Sequence, residues 1–96
     1  MDIRHQETPK RGSFFIEDQG RRTAELLYRL DDNEKINIYH TEVDESLRGK
    51  GVGVDLVKAV VGIAREKRRK IFATCPFAKK VIDGRPEFAD VRADEK

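Results

Sequence analysis

The chain has 96 residues, with 20 Lys plus Arg against 18 Asp plus Glu, a formal charge of +2, and 40% of its residues charged. That length holds one domain, and no apolar run approaches the roughly 18 residues of a membrane span. Charges that nearly cancel, with apolar residues in periodic blocks, argue for a compact fold over disorder. The single Cys excludes an internal disulfide and a four-thiolate zinc site, and two His beside it leave an incomplete ligand set, so no metal is assigned. No apolar signal core follows Met1-Asp2-Ile3-Arg4-His5, so the expected location is cytoplasmic, with Cys75 a free thiol.

Residues 1–12 are polar, contain Pro9 and Gly12, and read as a lead-in. Ser13 to Asp18 reads as a short strand closed by the turn pair Gln19-Gly20. From Thr23 to Leu30 the period is two: Ala24, Leu26, Tyr28 and Leu30 share one face, which is a half-buried strand. Asp31 to Glu34 is turn chemistry. A third strand, Lys35 to Val43, completes an antiparallel meander. The period then changes. After the glycine-rich stretch Arg48 to Gly53, the residues Leu56, Val57, Val60, Ile63, Ala64 and Lys67 recur at spacings of three and four, the stripe of an amphipathic helix. Its basic end, Arg65 to Lys70, suits the negative end of a helix dipole. Lys70 to Cys75 is a fourth strand, stopped by Pro76, and Phe77 to Asp83 is a short helix ending at Gly84. Phe88 and Val91 are candidate anchors for the segment that follows, ahead of a charged tail at 92–96. Third strand, helix and fourth strand form a βαβ unit with a parallel pair. The expected class is α+β.

The glycines lie between the end of a strand and the start of a helix. There they let backbone approach a ligand, and free N–H groups with the helix dipole suit a phosphate or pyrophosphate. Arg48 and Lys50 add charge. The Walker pattern is absent, since no Gly-Lys-Ser or Gly-Lys-Thr follows, and G-x-G-x-x-G fails because position 54 is Val54. A turn that merely starts the helix is the alternative reading.

Arg48-x-x-Gly51-x-Gly53 resembles the [RQ]-x-x-G-x-[GA] signature of GNAT N-acetyltransferases, in the same strand–loop–helix setting. With Cys75-Pro76-Phe77 and Arg85 to Asp90, the chain is most similar to small single-domain GNAT-like proteins, over about residues 13–91. The resemblance implies acetyl-CoA as cofactor: pyrophosphate on Arg48, Gly49, Lys50, Gly51, Val52 and Gly53, pantetheine along Thr41, Glu42 and Val43, and further cofactor contacts from Pro76 and Phe77. It implies transfer of the acetyl group to an amine, on a small molecule or a protein. One departure stands out: Gln19-Gly20 replaces the helices that help build the acceptor site in longer members.

Cys75 and His40 end the two strands expected to be parallel neighbours, and adjacent strands lie about 4.8 Å apart. A Cys–His pair activates a thiol, so both are candidate catalytic residues near the thioester, with Cys75 a transient acetyl acceptor or a proton donor to the leaving thiol. The plainer readings are a small buried Cys and a hydrogen-bonded surface His. Glu42 or a water is a candidate base. The run Arg65 to Lys70 is read as a solvated helix end; nucleic-acid binding is the third-ranked reading, behind a CoA-binding module without turnover. Partners are the amine substrate, with no membrane and a monomer or weak dimer.

Overall fold

The computed structural model describes residues 2–93. In chain order it contains β1 (Arg4–Glu7), β2 (Arg11–Asp18), β3 (Arg21–Leu30), β4 (Ile36–Val43), a 3-10 turn (Glu45–Leu47), α1 (Val52–Lys67), β5 (Ile71–Ala73), α2 (Pro76–Asp83) and a 3-10 segment (Pro86–Val91). One sheet runs in the order β1-β2-β3-β4-β5, antiparallel but for the parallel β4–β5 pair. This is the α+β architecture expected, with the βαβ unit in place.

The meander has four strands where the sequence predicts three, because the polar lead-in supplies β1. All four residues of β1 are exposed, so no hydrophobic alternation marks it. Pairing recruits it instead, with His5 opposite Phe14 on β2. His5 stacks on the Phe14 ring at 4.2 Å, and its Nε2 lies 2.7 Å from the Tyr28 hydroxyl, which donates to Glu7 Oε1. Burial, and then the charge of Glu7, push Tyr28 up to about 12. Part of the tail expected at 92–96 continues the structure: Ala93 N–H donates to the Ile71 carbonyl, while 94–96 lie outside the described residues.

The 16 residues of α1 lie across one face of the sheet. Leu56, Val57, Val60, Val61 and Ala64 meet Leu26, Ile36, Ile38 and Ile71 in a single core, all essentially fully buried. Lys67, counted in the apolar stripe from its spacing, is exposed at the helix end. The basic run has structural work: Arg65 forms a two-pronged contact to Asp90 at 2.9 and 3.0 Å, Lys70 donates to the Asp90 carbonyl, and Arg69 reaches Glu34. The Arg65 and Lys70 contacts hold the last 3-10 segment, whose Phe88 and Val91 enter the core as anchors, while Arg69 ties the helix end to the β3–β4 turn.

Candidate active site

The site begins with one extra residue in β4. Strands β3 and β4 pair Leu30 with Ile36 and Tyr28 with Ile38, but Leu27 with His40, so Tyr39 forms a bulge. Paired residues share a face. Thr41 and Val43, opposite Leu26 and Ala24, therefore point toward α1, as Ile38 does. His40 and Glu42, opposite Leu27 and Glu25, point to the other face. Without the bulge, alternation would place Thr41 across the sheet from Ile38.

The parallel pair is short. It runs from Ile36↔Ile71 to Ile38↔Ala73 and stops. The N–H groups of Thr74 and Cys75 then both donate to the Ile38 carbonyl, at 3.0 and 3.2 Å, and the chain bends away into α2. Buried Asn37 fixes the bend, its Oδ1 accepting from Thr74 N–H and Oγ1. Hence β5 spans three residues, not the predicted six, and the edge of β4 beyond Ile38 faces a split.

Into this split opens a groove of about 440 Å³. One wall is Thr41, Glu42 and Val43 of β4; the floor is the turn Arg48 to Gly53 at the start of α1. Gly49 and Gly51 have φ of +81° and +74°, a left-handed conformation that disfavours any side chain. Gly51 is the N-cap of α1 and offers no side-chain acceptor, so the first N–H groups of the helix have no cap. Arg48 and Lys50 are exposed beside them, and neither forms an ion pair among the described residues. The far wall is the Phe77 ring, 42% exposed and lying over Gly53 so closely that a Cβ there would come within 2.7 Å of Cζ. All the expected cofactor residues line this groove except Lys50 and Pro76, and the apolar rim residues Leu47 and Val54 join them.

Cys75 does not line the groove; it lies behind Thr41 of its wall, 8% exposed, at the N-cap of α2. Its Sγ is 3.3 Å from Thr41 Oγ1. Burial opposes ionisation of the thiol, but the Thr41 hydroxyl and the N–H groups of Ala78, Phe77 and Thr41 outweigh it and draw its pKa below the usual thiol value. The partner of Cys75 is thus Thr41. His40, expected beside it, faces across the sheet, with Nε2 at 3.4 Å from Glu25 Oε2 and 3.5 Å from Glu42 Oε1. The sequence brings both residues to the split, but the bulge puts them on opposite faces.

Residues 13–91 match the family of GCN5-related N-acetyltransferases. The chain belongs to this family. The protein NATD1 of Xenopus tropicalis is 31% identical over 85 residues, 88% of this chain and 78% of the relative. Human NATD1 is 32% identical over 63 residues, 66% of this chain and 56% of the relative. Among solved structures, a GCN5-like candidate N-acetyltransferase from Staphylococcus aureus superposes with a TM-score of 0.78 at 41% identity, covering 99% of this chain and 90% of that one. The aminoglycoside N-acetyltransferase AAC(6')-Iy in complex with CoA shares the fold, with a TM-score of 0.67 at 17% identity over 99% of this chain and 98% of that one.

For a GCN5-related N-acetyltransferase, this chain joins β2 to β3 by a turn of two residues, Gln19 and Gly20. No helix of the described residues covers the face that carries His40, and none is long and apolar enough to cross a membrane. The grouping of His40 with Glu25 and Glu42 escaped a count of His and Cys, because carboxylates complete it. Register across strands would have revealed it: Glu25 and Glu42 are direct partners.

Proposed function

We propose that the protein transfers an acetyl group from acetyl-CoA to an amine. The observation that carries this reading is the union, in one groove, of an unpaired β4 edge, a glycine turn and an uncapped helix N-terminus. The pyrophosphate would lie on the N–H groups from Arg48 to Gly53, where dipole and backbone donors converge on an anion. The pantetheine amides would pair with the free edge from Thr41 to Val43, and Phe77 would close the apolar side. The related AAC(6')-Iy was solved with CoA, which accords with this assignment.

The thioester would then sit in the split, beside Cys75. The amine nitrogen attacks the thioester carbonyl, the C–N bond forms, the C–S bond breaks, and the proton lost by nitrogen ends on the CoA sulfur. Cys75 would relay that proton, giving its own to the CoA sulfur and regaining one from nitrogen, or its thiolate would first attack the thioester, expel CoA thiolate and pass the acetyl group to the amine, which returns the free thiol; its pKa below the usual thiol value suits the second role. Calorimetry with CoA tests the groove. Gly51→Glu forces a side chain into a left-handed conformation and adds negative charge, so affinity should fall at least about tenfold; no CoA binding by the unmodified protein would refute the reading. Intact mass after incubation with acetyl-CoA assigns Cys75: a gain of one acetyl group that vanishes in Cys75→Ala marks a carrier. Release of CoA thiol with a panel of amines then measures turnover.

A further inference from the structure

A second hollow, of about 360 Å³, opens at the other end of α1 from the groove. Ile63 and Lys67 line it, whereas the groove takes Val52 to Val54. The helix rises 1.5 Å per residue, so about 15 Å of it separates Gly53 from Ile63. The floor of the hollow is apolar, built from Leu30 of β3, Ile36 of β4 and Ile63, where the core runs out beside the β1–β2 turn. Buried Tyr28 also lines it, with its hydroxyl between His5 and Glu7. A Cβ on Gly12 would collide with that hydroxyl, so glycine at this position admits the phenol. The displaced ionisation of Tyr28, inside a hollow, is one mark of a binding site.

Charge supplies a second mark. Arg11, Lys67 and Arg69 all border the hollow. The lysine interrupts the apolar stripe of α1 just where that stripe reaches it. Arg69 reaches Glu34 at 3.5 Å, while Arg11 and Lys67 form no ion pair among the described residues. Glu7 accepts from the Tyr28 hydroxyl. Three cations thus stand against two carboxylates. A rounded space of 360 Å³ is roughly 9 Å across, about one Debye length at physiological salt, so the surplus charge is felt throughout. A neutral apolar molecule would leave the cations unpaired, and a simple inorganic anion would leave the floor wet.

We infer that this hollow binds an organic anion, a compact apolar body that carries a carboxylate or a phosphate monoester. Arg11, Lys67 and Arg69 hold the anionic group, and Leu30 and Ile63 pack against the body. At about 30 Å³ per water the volume equals roughly a dozen waters, enough for one aromatic ring with its anionic group. Binding here is independent of the acetyl transfer proposed above.

Benzoate and phenyl phosphate are suitable probes, with phenol and inorganic phosphate as controls. In methyl NMR, the Leu30 and Ile63 resonances should shift saturably with at least one of the two organic anions. Which of them binds more tightly separates a carboxylate ligand from a phosphate. Phenol and inorganic phosphate should each bind at least about tenfold more weakly, the scale of a lost charge-assisted contact or an unburied ring. Arg11→Gln and Arg69→Gln should each weaken binding about fivefold or more. Glu34→Gln breaks the same ion pair of Arg69 but keeps the guanidinium, so it should not weaken binding, which separates anion contact from a structural role. Saturation with CoA should leave the affinity unchanged. Shifts that stay linear for both organic anions overturn the inference, as does equal binding of either control or displacement of the probe by CoA.

Discussion

The contact of Gly53 with Phe77 gives a prediction whose sign depends on one ring. Gly53 lies in the first turn of α1 with ordinary backbone angles, so alanine is conformationally welcome there and gains about 0.5–1 kcal/mol over glycine in a helix. The added Cβ would stand 2.7 Å from Phe77 Cζ and 2.8 Å from Cε2. Overpacking of this kind costs about 1–3 kcal/mol, and the low end applies because a ring 42% exposed can swing outward. Gly53→Ala alone should therefore destabilise by about 0–1 kcal/mol. In a Phe77→Ala background the obstacle is gone, and the same change should stabilise by about 0.5–1 kcal/mol. Urea unfolding of the four proteins yields the coupling, expected near 1 kcal/mol. A coupling within about 0.3 kcal/mol of zero would mean that the two residues act independently and would refute the packing argument. The ring displaced by Gly53→Ala also leaves the groove wall, so CoA affinity should fall about fivefold in calorimetry, a loss of about 1 kcal/mol.

Thr41→Val removes the hydroxyl beside Cys75 Sγ; the pH midpoint for alkylation of the thiol should lie below 9.0 in the parent protein and rise in the variant, and an unmoved midpoint would exclude Thr41 as the cause. Asn37→Ala strips the Thr74 N–H of its side-chain acceptor at the bend but leaves it the Ile38 carbonyl, and should cost about 0.5–1.5 kcal/mol in urea unfolding, with faster hydrogen exchange at Thr74. Tyr28 holds its proton to about 12 in the fold against 10.0 unfolded. The folded state binds the proton more tightly, so the stability this provides is complete below pH 10 and is lost as pH rises from 10 toward 12, by up to about 2–3 kcal/mol. Urea midpoints across that window should show the decline, and Tyr28→Phe should flatten it.

Much of the frame was legible in the residue order. Period two marked β3, period 3.6 marked α1, and Pro76 and Gly84 bracketed α2, because each of these signals is written within a single element. The glycine turn, too, was readable from its place between strand and helix. What escaped was set by one strand acting on another. β1 has no buried face of its own and exists by pairing with β2. The bulge at Tyr39 arises in the register of β4 against β3, and no feature of Tyr39 itself announces it. Strand spacing alone therefore joined Cys75 to His40, whereas the extra residue turned them to opposite faces. Thr41 was named for its backbone, while its hydroxyl proved to be the partner of the thiol.

Past that extra residue, β4 is a ribbon with two independent margins. Substitutions at 41 and 43 meet whatever occupies the groove, and substitutions at 40 and 42 meet whatever approaches from behind. A library confined to the even positions and one confined to the odd positions would therefore alter opposite faces of the sheet. Deleting Tyr39 would remove the bulge and leave both margins as they are, because His40 would then follow Ile38 in ordinary alternation. The two margins are thus set by the register of β4 against β3 from His40 onward, with Tyr39 the residue that this register leaves unpaired.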